Sequence, residues 1–212
     1  MFGLFKRKRK VRDIEDWELF LMYNTLEKLP DEFKTLKVQI EEELFAYATT
    51  GASSFDPDFV GFGFSDSIGE YENRRAREYE ITNIKVLDIN SNKRLDYSIN
   101  VCSGVISGYS LKGAENPTID ISDIDVSAYE KRYYDNPDYD KLEKILSPAE
   151  ISLINASEVH EVSLDGKVYF HIKDLEDGDF IGIDSEKIIY KITHDPYEIT
   201  PLRESLETVL NG

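Results

Sequence analysis

The part of the chain between residues 167 and 199 most constrains the fold, because it contains three short strand-like runs in close succession. These runs are rich in aromatic and β-branched residues, which fit the pleated, half-buried surface of a sheet. The runs are Val168–Ile172, Phe180–Ile183 and Ile188–Thr193. The first two are joined by the acidic turn Asp174–Asp179, in which Gly178 can adopt a positive φ. We predict a sheet that carries this acidic turn and expect function to lie near it.

Length and composition favour a folded protein without disulfides. The chain has 212 residues, of which 41% are hydrophobic, so it can bury a full core as one large domain or two small ones. Cys102 is the single cysteine, which excludes an internal disulfide. No apolar run approaches the roughly 20 residues of a membrane-spanning helix. We therefore expect a soluble, cytoplasmic protein.

The distribution of charge is the strongest global feature of the sequence. The net charge is −17, yet the first twelve residues contain six Lys or Arg and no acid, which leaves residues 13–212 with a net charge of −23. A body this acidic repels nucleic acid and anionic membranes and speeds its encounter with a basic protein. Acidity that serves only solubility is the alternative explanation.

Amphipathic patterns at both ends of the chain predict helices around the sheet. Asp13–Lys28 has apolar residues at spacings of three and four, and Pro30 ends this helix and opens a second one. A final helix is predicted to begin at Thr200–Pro201. The fold class that follows is α+β: an N-terminal helical hairpin packed on a mixed or antiparallel β-sheet, with a closing C-terminal helix. We expect a single domain over residues 13–212, with a possible sub-boundary near residues 147–157.

The basic head, residues 1–12, is predicted to be a solvated tail. Three alternatives stay open: contact with a lipid surface, contact with RNA, and folding back onto the acidic body.

Residues that could perform chemistry are few and lack a recognised spacing. The histidines are His160, His171 and His194, and exposure on a polar strand face is the favoured interpretation. The alternative is a metal site formed by His171, His194, Asp174 and Asp195. The acidic turn does not fit a calcium loop, because Lys173 and Leu175 occupy positions that need acids. Cys102 is predicted to be a buried, inert thiol. None of these patterns indicates an enzyme, a metal site or a cofactor, and we expect a protein that has none of them.

Two segments resemble the SUKH superfamily, which includes bacterial immunity proteins and fungal regulators of cell-wall synthesis. Leu29–Lys34 is similar to that family's helix start, and Gly178–Asp184 followed by Ile188–Asp195 is similar to its C-terminal strands. The resemblance implies an α+β domain. In bacteria it implies a protein that neutralises a toxin, frequently a nuclease, by binding it without a cofactor.

These observations favour an immunity-type protein that binds a basic toxin through an acidic surface and does not bind nucleic acid. The predicted partner-binding residues are Asp174, Glu176, Asp177, Asp179, Asp184, His194 and Asp195. One alternative is a regulatory or scaffold protein of the same fold with another protein partner. A second alternative is a metal-dependent hydrolase that uses His171, Asp174, His194 and Asp195.

Overall fold

A computed structural model describes residues 9–51, 56–113 and 117–211. The chain divides into two compact units. The first comprises residues up to 73 together with 78–133, and the second comprises residues 74–77 together with those from 134 onward. Each unit has its own antiparallel sheet and its own apolar core.

The first unit is built on an antiparallel sheet that has eight strands within the described ranges. The strands are β1 (Lys10–Arg12), β2 (Phe45–Thr50), β3 (Phe59–Phe64), β4 (Tyr79–Asp88), β5 (Lys93–Cys102), β6 (Val105–Lys112), β7 (Ile119–Asp125) and β8 (Glu130–Tyr133). Their order across the sheet is β1-β2-β3-β6-β5-β4-β7, and β8 also pairs with β4. The three-residue strand β1 therefore forms one edge of this sheet.

Two helices of the first unit contribute to the same core as its sheet. They are α1 (Asp16–Lys28) and α2 (Lys34–Glu41), joined through Leu29, Pro30 and a short 3₁₀ turn. Leu21 and Met22 of α1 and Leu36 of α2 are buried in one cluster with apolar side chains of β4, β5 and β6. The spacing of these apolar residues along each helix is what places them on a single buried stripe.

The second unit is a five-stranded antiparallel sheet with short helices, as far as the described residues show. Its strands are β9 (His160–Leu164), β10 (Lys167–Asp174), β11 (Phe180–Ile183), β12 (Ile189–His194) and β13 (Tyr197–Pro201), and its helices are α3 (Pro137–Glu143), α4 (Pro148–Ile151) and α5 (Leu206–Asn211). The strand order is β13-β12-β11-β10-β9, so consecutive strands are neighbours. Leu142, Ile154 and Leu206 pack with Phe170 and Ile181 in its main core.

The architecture agrees with the predicted class at a coarse level and divides the chain differently. The protein combines helices with antiparallel sheet and is broadly α+β. One domain was expected over residues 13–212, with a sub-boundary near 147–157, whereas the two units meet in sequence between Tyr133 and Tyr134. The physical reason is that two separate sheets each bury their own apolar face. None of the helices in the described ranges is long and apolar enough to cross a membrane.

A buried carboxylate in α1 fixes the end of the basic head to the fold. The Glu18 side chain is fully enclosed and accepts hydrogen bonds from the Arg12 guanidinium, at 2.6 Å from Nη1 to Oε2, and from the Tyr109 hydroxyl. The backbone N–H of Glu15 donates to the same carboxylate at 2.8 Å. Burial alone would raise the pKa of Glu18, but these donors outweigh it and hold that pKa below its ordinary value.

The prediction of a solvated tail over residues 1–12 is therefore wrong for its last three residues. Lys10–Arg12 form β1, which pairs with Ala48–Thr50 of β2, and Arg12 supplies the positive charge that the buried Glu18 requires. Of the alternatives that the sequence leaves open, folding back onto the acidic body describes these residues. The rest of the head, residues 1–8, lies outside the described residues.

The ion pair predicts a specific loss of stability in acid. The pKa of Glu18 is depressed in the folded state, so its contribution is fully present above the unfolded pKa, near 4.5, and is lost as the pH falls through the folded value. We expect the wild-type free energy of unfolding to fall more steeply below pH 4.5 than that of an Arg12→Met/Glu18→Gln variant. Denaturant titrations at pH 7, 4.5 and 3 measure this difference, and parallel pH profiles would contradict it.

Candidate partner-binding site

Six of the seven predicted partner-binding residues gather at one end of the second unit's sheet. The strands β10, β11, β12 and β13 are consecutive antiparallel neighbours, so the chain reverses direction at each turn. The turn from β10 to β11 and the turn from β12 to β13 therefore lie at the same end of the sheet. We call this region the acidic end. It consists of Asp174, Glu176, Asp177, Asp179, His194 and Asp195.

Asp179 and His194 join the two turns of the acidic end. One carboxylate oxygen of Asp179 accepts from the His194 backbone N–H at 3.1 Å and lies 2.9 Å from the ring Nδ1. Gly178, at φ 82°, lies close beneath the imidazole. Burial alone would raise the pKa of Asp179, but both contacts with His194 outweigh it and hold that pKa below its ordinary value. The Asp179 carboxylate thus connects the two turns of the acidic end through its contacts with His194.

Asp174 ends strand β10, and its side chain contacts His171 of the same strand. The His171 Nε2 lies 3.0 Å from the Asp174 carboxylate, and its Nδ1 lies 3.1 Å from the carbonyl oxygen of Glu158. The imidazole stacks between the rings of His160 and Phe180, at centroid distances of 4.5 and 5.0 Å. The His171 ring is therefore held between two other rings and close to the Asp174 carboxylate at the end of β10.

The sequence-based expectation that His171 is exposed is wrong. Its side chain is only about 6% exposed, although it does lie on the opposite face from Phe170 and Ile172. Stacking on two sides encloses the ring, and an acceptor oxygen lies within hydrogen-bonding distance of each ring nitrogen. His160 and His194 are exposed, as expected.

Three acids of the acidic end have no partner among the described side chains and backbone groups. Glu176, Asp177 and Asp195 are exposed, and within the described part of the chain their carboxylates form no hydrogen bond or ion pair. Asp177 has a positive φ of 59°, so the backbone turns sharply where these charges are presented. Their negative charges are therefore available to a basic group from another molecule.

Asp184 lies at the opposite end of the sheet from the other six predicted residues. It follows β11, whereas Asp179 precedes that strand. One Asp184 carboxylate oxygen accepts from the backbone N–H groups of Glu186 and Ile188, each at 2.9 Å, and the other accepts from the Tyr190 hydroxyl at 3.0 Å. Asp184 therefore stabilises the turn between β11 and β12 and is not part of the acidic end.

The four residues considered for a metal site fall into separate pairs. His171 contacts Asp174, while His194 contacts Asp179 and not its neighbour Asp195. Within the described ranges, no group of three or more His, Cys, Asp and Glu side chains is arranged to hold a metal ion. The acidic end is thus a charged surface that contains two separate histidine–carboxylate contacts.

The fold and this surface define a mixed α and antiparallel β protein with an exposed acidic surface at one end of its second sheet. Comparisons of the chain with models of protein families, with curated proteins and with solved structures find no match. Membership in the SUKH superfamily stays a prediction.

Proposed function

We propose that the protein is an immunity-type binding protein that neutralises a basic toxin through the acidic end of its second unit. The observation that carries this proposal is the set of three exposed acids, Glu176, Asp177 and Asp195, whose charges are not compensated by other described residues. The net charge of the whole chain is −17, so its long-range electrostatic field also attracts a basic protein.

The contacts that hold the acidic end in one conformation support recognition of another protein. The contact of Asp179 with His194 joins the two turns, and the contact of Asp174 with His171 holds the Asp174 carboxylate at the end of β10. A surface that is already ordered loses less conformational entropy when a partner binds. A nuclease is a suitable partner class, because such enzymes carry positive charge to hold nucleic acid and an acidic surface can occupy that site.

The resemblance to the SUKH superfamily contributes only a mode of action to this proposal. Its two segments lie in different units, with Leu29–Lys34 in the first and Gly178–Asp195 in the second. We take from it inhibition by direct binding, without a cofactor, and we propose that α1 and α2 form the predicted N-terminal helical hairpin. The anchored acidic end carries the rest of the proposal independently of any family.

Co-expression in cells tests the proposed function. We expect the product of the gene beside this protein's gene to arrest growth when it is expressed alone, and we expect growth to return when this protein is expressed with it. The matched control expresses this protein with an unrelated toxin of similar charge, which should still arrest growth. A neighbouring gene product that is harmless, or that stays toxic in the presence of equal amounts of this protein, contradicts the proposal.

A further inference from the structure

A second surface of the second unit lies at the opposite end of its sheet from the acidic end. It is a groove of about 700 Å³ between the β9–β10 hairpin and the β11–β12 turn. Its apolar walls come from Ile145, Val168, Phe170, Ile188 and Tyr190. A groove of this size accommodates one or two side chains of another molecule.

The exposed aliphatic residues of this unit coincide with the groove. Val168 is 45% exposed and Ile188 is 38% exposed, and they are the two large aliphatic side chains that the described part of the second unit leaves open to solvent. Both line the groove. Single exposed apolar residues need no explanation, but two that face one groove form the centre of an interaction surface with a polar rim.

The wall that presents Ile188 is held in a fixed conformation. Asp184 accepts from the Ile188 backbone N–H, and the Ile188 carbonyl accepts from the Asp184 N–H at 3.1 Å. The Tyr190 hydroxyl bonds the same carboxylate from the next strand. Burial of Tyr190, together with this contact, raises the pKa of its hydroxyl above the ordinary value. The groove is thus ordered before any partner arrives.

The charges around the groove determine which kind of partner fits. Lys141 is already paired with Asp138 at 3.1 Å and with Glu161 at 3.0 Å, so its charge is offset. Lys167, the other lysine that lines the groove, belongs to β10, whereas Asp184 follows β11. The β11–β12 turn carries Asp184, Glu186 and Lys187. Lys187 is paired with Glu150 at 3.2 Å, whereas neither Asp184 nor Glu186 has a cationic partner among the described residues. The wall beside Ile188 is therefore negatively charged.

We propose that this groove binds an apolar side chain that is flanked by a basic residue in another protein. The apolar side chain lies between Val168 and Ile188, and the basic residue lies against Asp184 and Glu186. This surface is separate from the acidic end, since the two are at opposite ends of the same strands. The partner of the groove is also a basic protein, but the two sites are independent. The groove can fail to bind while the acidic end still binds its partner, and the acidic end can fail while the groove still binds.

A small apolar cation tests the proposal directly. We expect phenethylammonium, titrated into the isotope-labelled intact protein, to give saturable chemical-shift changes at Val168, Ile188 and Tyr190. The anion 3-phenylpropanoate, which has a similar ring and the opposite charge, should bind several-fold more weakly. Shifts scattered over the whole surface, or equal binding of the two probes, would overturn the proposal.

Matched variants separate the apolar part of the site from its charge. A Val168→Ser/Ile188→Ser variant should lose the saturable shifts, while Ile89→Ser, which changes a 56% exposed isoleucine in the first unit, should keep them. Glu186→Gln should reduce the preference for the cation without removing binding of the ring. If dilution of the wild-type protein alone moves the Val168 and Ile188 signals, the groove is covered by a second copy of the chain and the proposed partner class is wrong.

Discussion

The Arg12→Met variant is expected to lose about 3 kcal/mol of unfolding free energy, because it leaves the enclosed Glu18 carboxylate without its cation. Breaking a buried ion pair from one side typically costs about 3–5 kcal/mol. We expect the lower end of that range, since the Arg12 side chain is 33% exposed and the Tyr109 hydroxyl and Glu15 N–H still donate to the carboxylate.

The single tryptophan makes this measurement specific for the first unit. Trp17 lies one residue before Glu18 in α1, and its ring packs edge-on against Tyr109 at a centroid distance of 6.5 Å. Denaturant unfolding followed by Trp17 fluorescence therefore reports on the part of the protein that contains the ion pair.

Two further variants separate the ion pair from other effects of the head. Lys10→Met changes an exposed lysine in the same strand and should shift stability by less than about 0.5 kcal/mol. Arg12→Met/Glu18→Gln removes both charges and should recover part of the loss, because no carboxylate is then left buried without a cation. A stability loss for Lys10→Met equal to that for Arg12→Met, or no recovery in the double variant, would contradict this account.

Neutralising the three uncompensated acids of the acidic end is expected to slow association with the basic partner by about tenfold at low salt. The variant is Glu176→Gln/Asp177→Asn/Asp195→Asn. Asp174 and Asp179 are left intact, since they contact His171 and His194 and their replacement would disturb the turns themselves. The fold should be unchanged, because the three substituted side chains are exposed.

The association rate must be measured at several salt concentrations. Screening acts over about 10 Å at 0.1 M salt, so the wild-type rate should fall steeply with salt while the rate of the neutralised variant changes little. The matched control is Glu42→Gln/Asp66→Asn/Glu70→Gln, which removes the same number of exposed acids from the first unit, each of them without an ion-pair partner among the described residues. Equal slowing by the control would show that net charge, and not the acidic end, governs the encounter.

Local patterns in the sequence predicted much of the second unit. The predicted strand Phe180–Ile183 has the observed bounds, and the neighbouring strands differ from prediction by one or two residues at their ends. The Ser-Pro-Ala-Glu sequence of residues 147–150 is typical of a capping box, and the structure contains one, with the Glu150 N–H donating to the Ser147 hydroxyl at 3.3 Å. These features depend on near neighbours in the chain, which is why sequence patterns reveal them.

The burial of polar side chains could not be predicted in this way. Arg12, Glu18 and His171 have the sequence character of surface residues, and each is enclosed or anchored through contacts with other strands and helices. The sequence contains no pattern that pairs Glu18 with Tyr109, since those residues meet only after β6 packs against α1.

The position of Asp184 was, by contrast, available from the sequence. Successive antiparallel strands place successive turns at opposite ends of a sheet. The turn before Phe180 and the turn after Ile183 therefore had to be separated by the length of that strand. The same rule would have pointed to the end of the sheet where Val168 and Ile188 form a groove.

The most direct test of the proposed function is inhibition of the purified neighbouring gene product in a titration with this protein. We predict that its toxic activity falls to zero at a stoichiometric ratio, and that the Glu176→Gln/Asp177→Asn/Asp195→Asn variant requires a clear excess at physiological salt. Full activity in the presence of excess wild-type protein would contradict the immunity function. Equal inhibition by wild type and variant would contradict the assignment of that function to the acidic end.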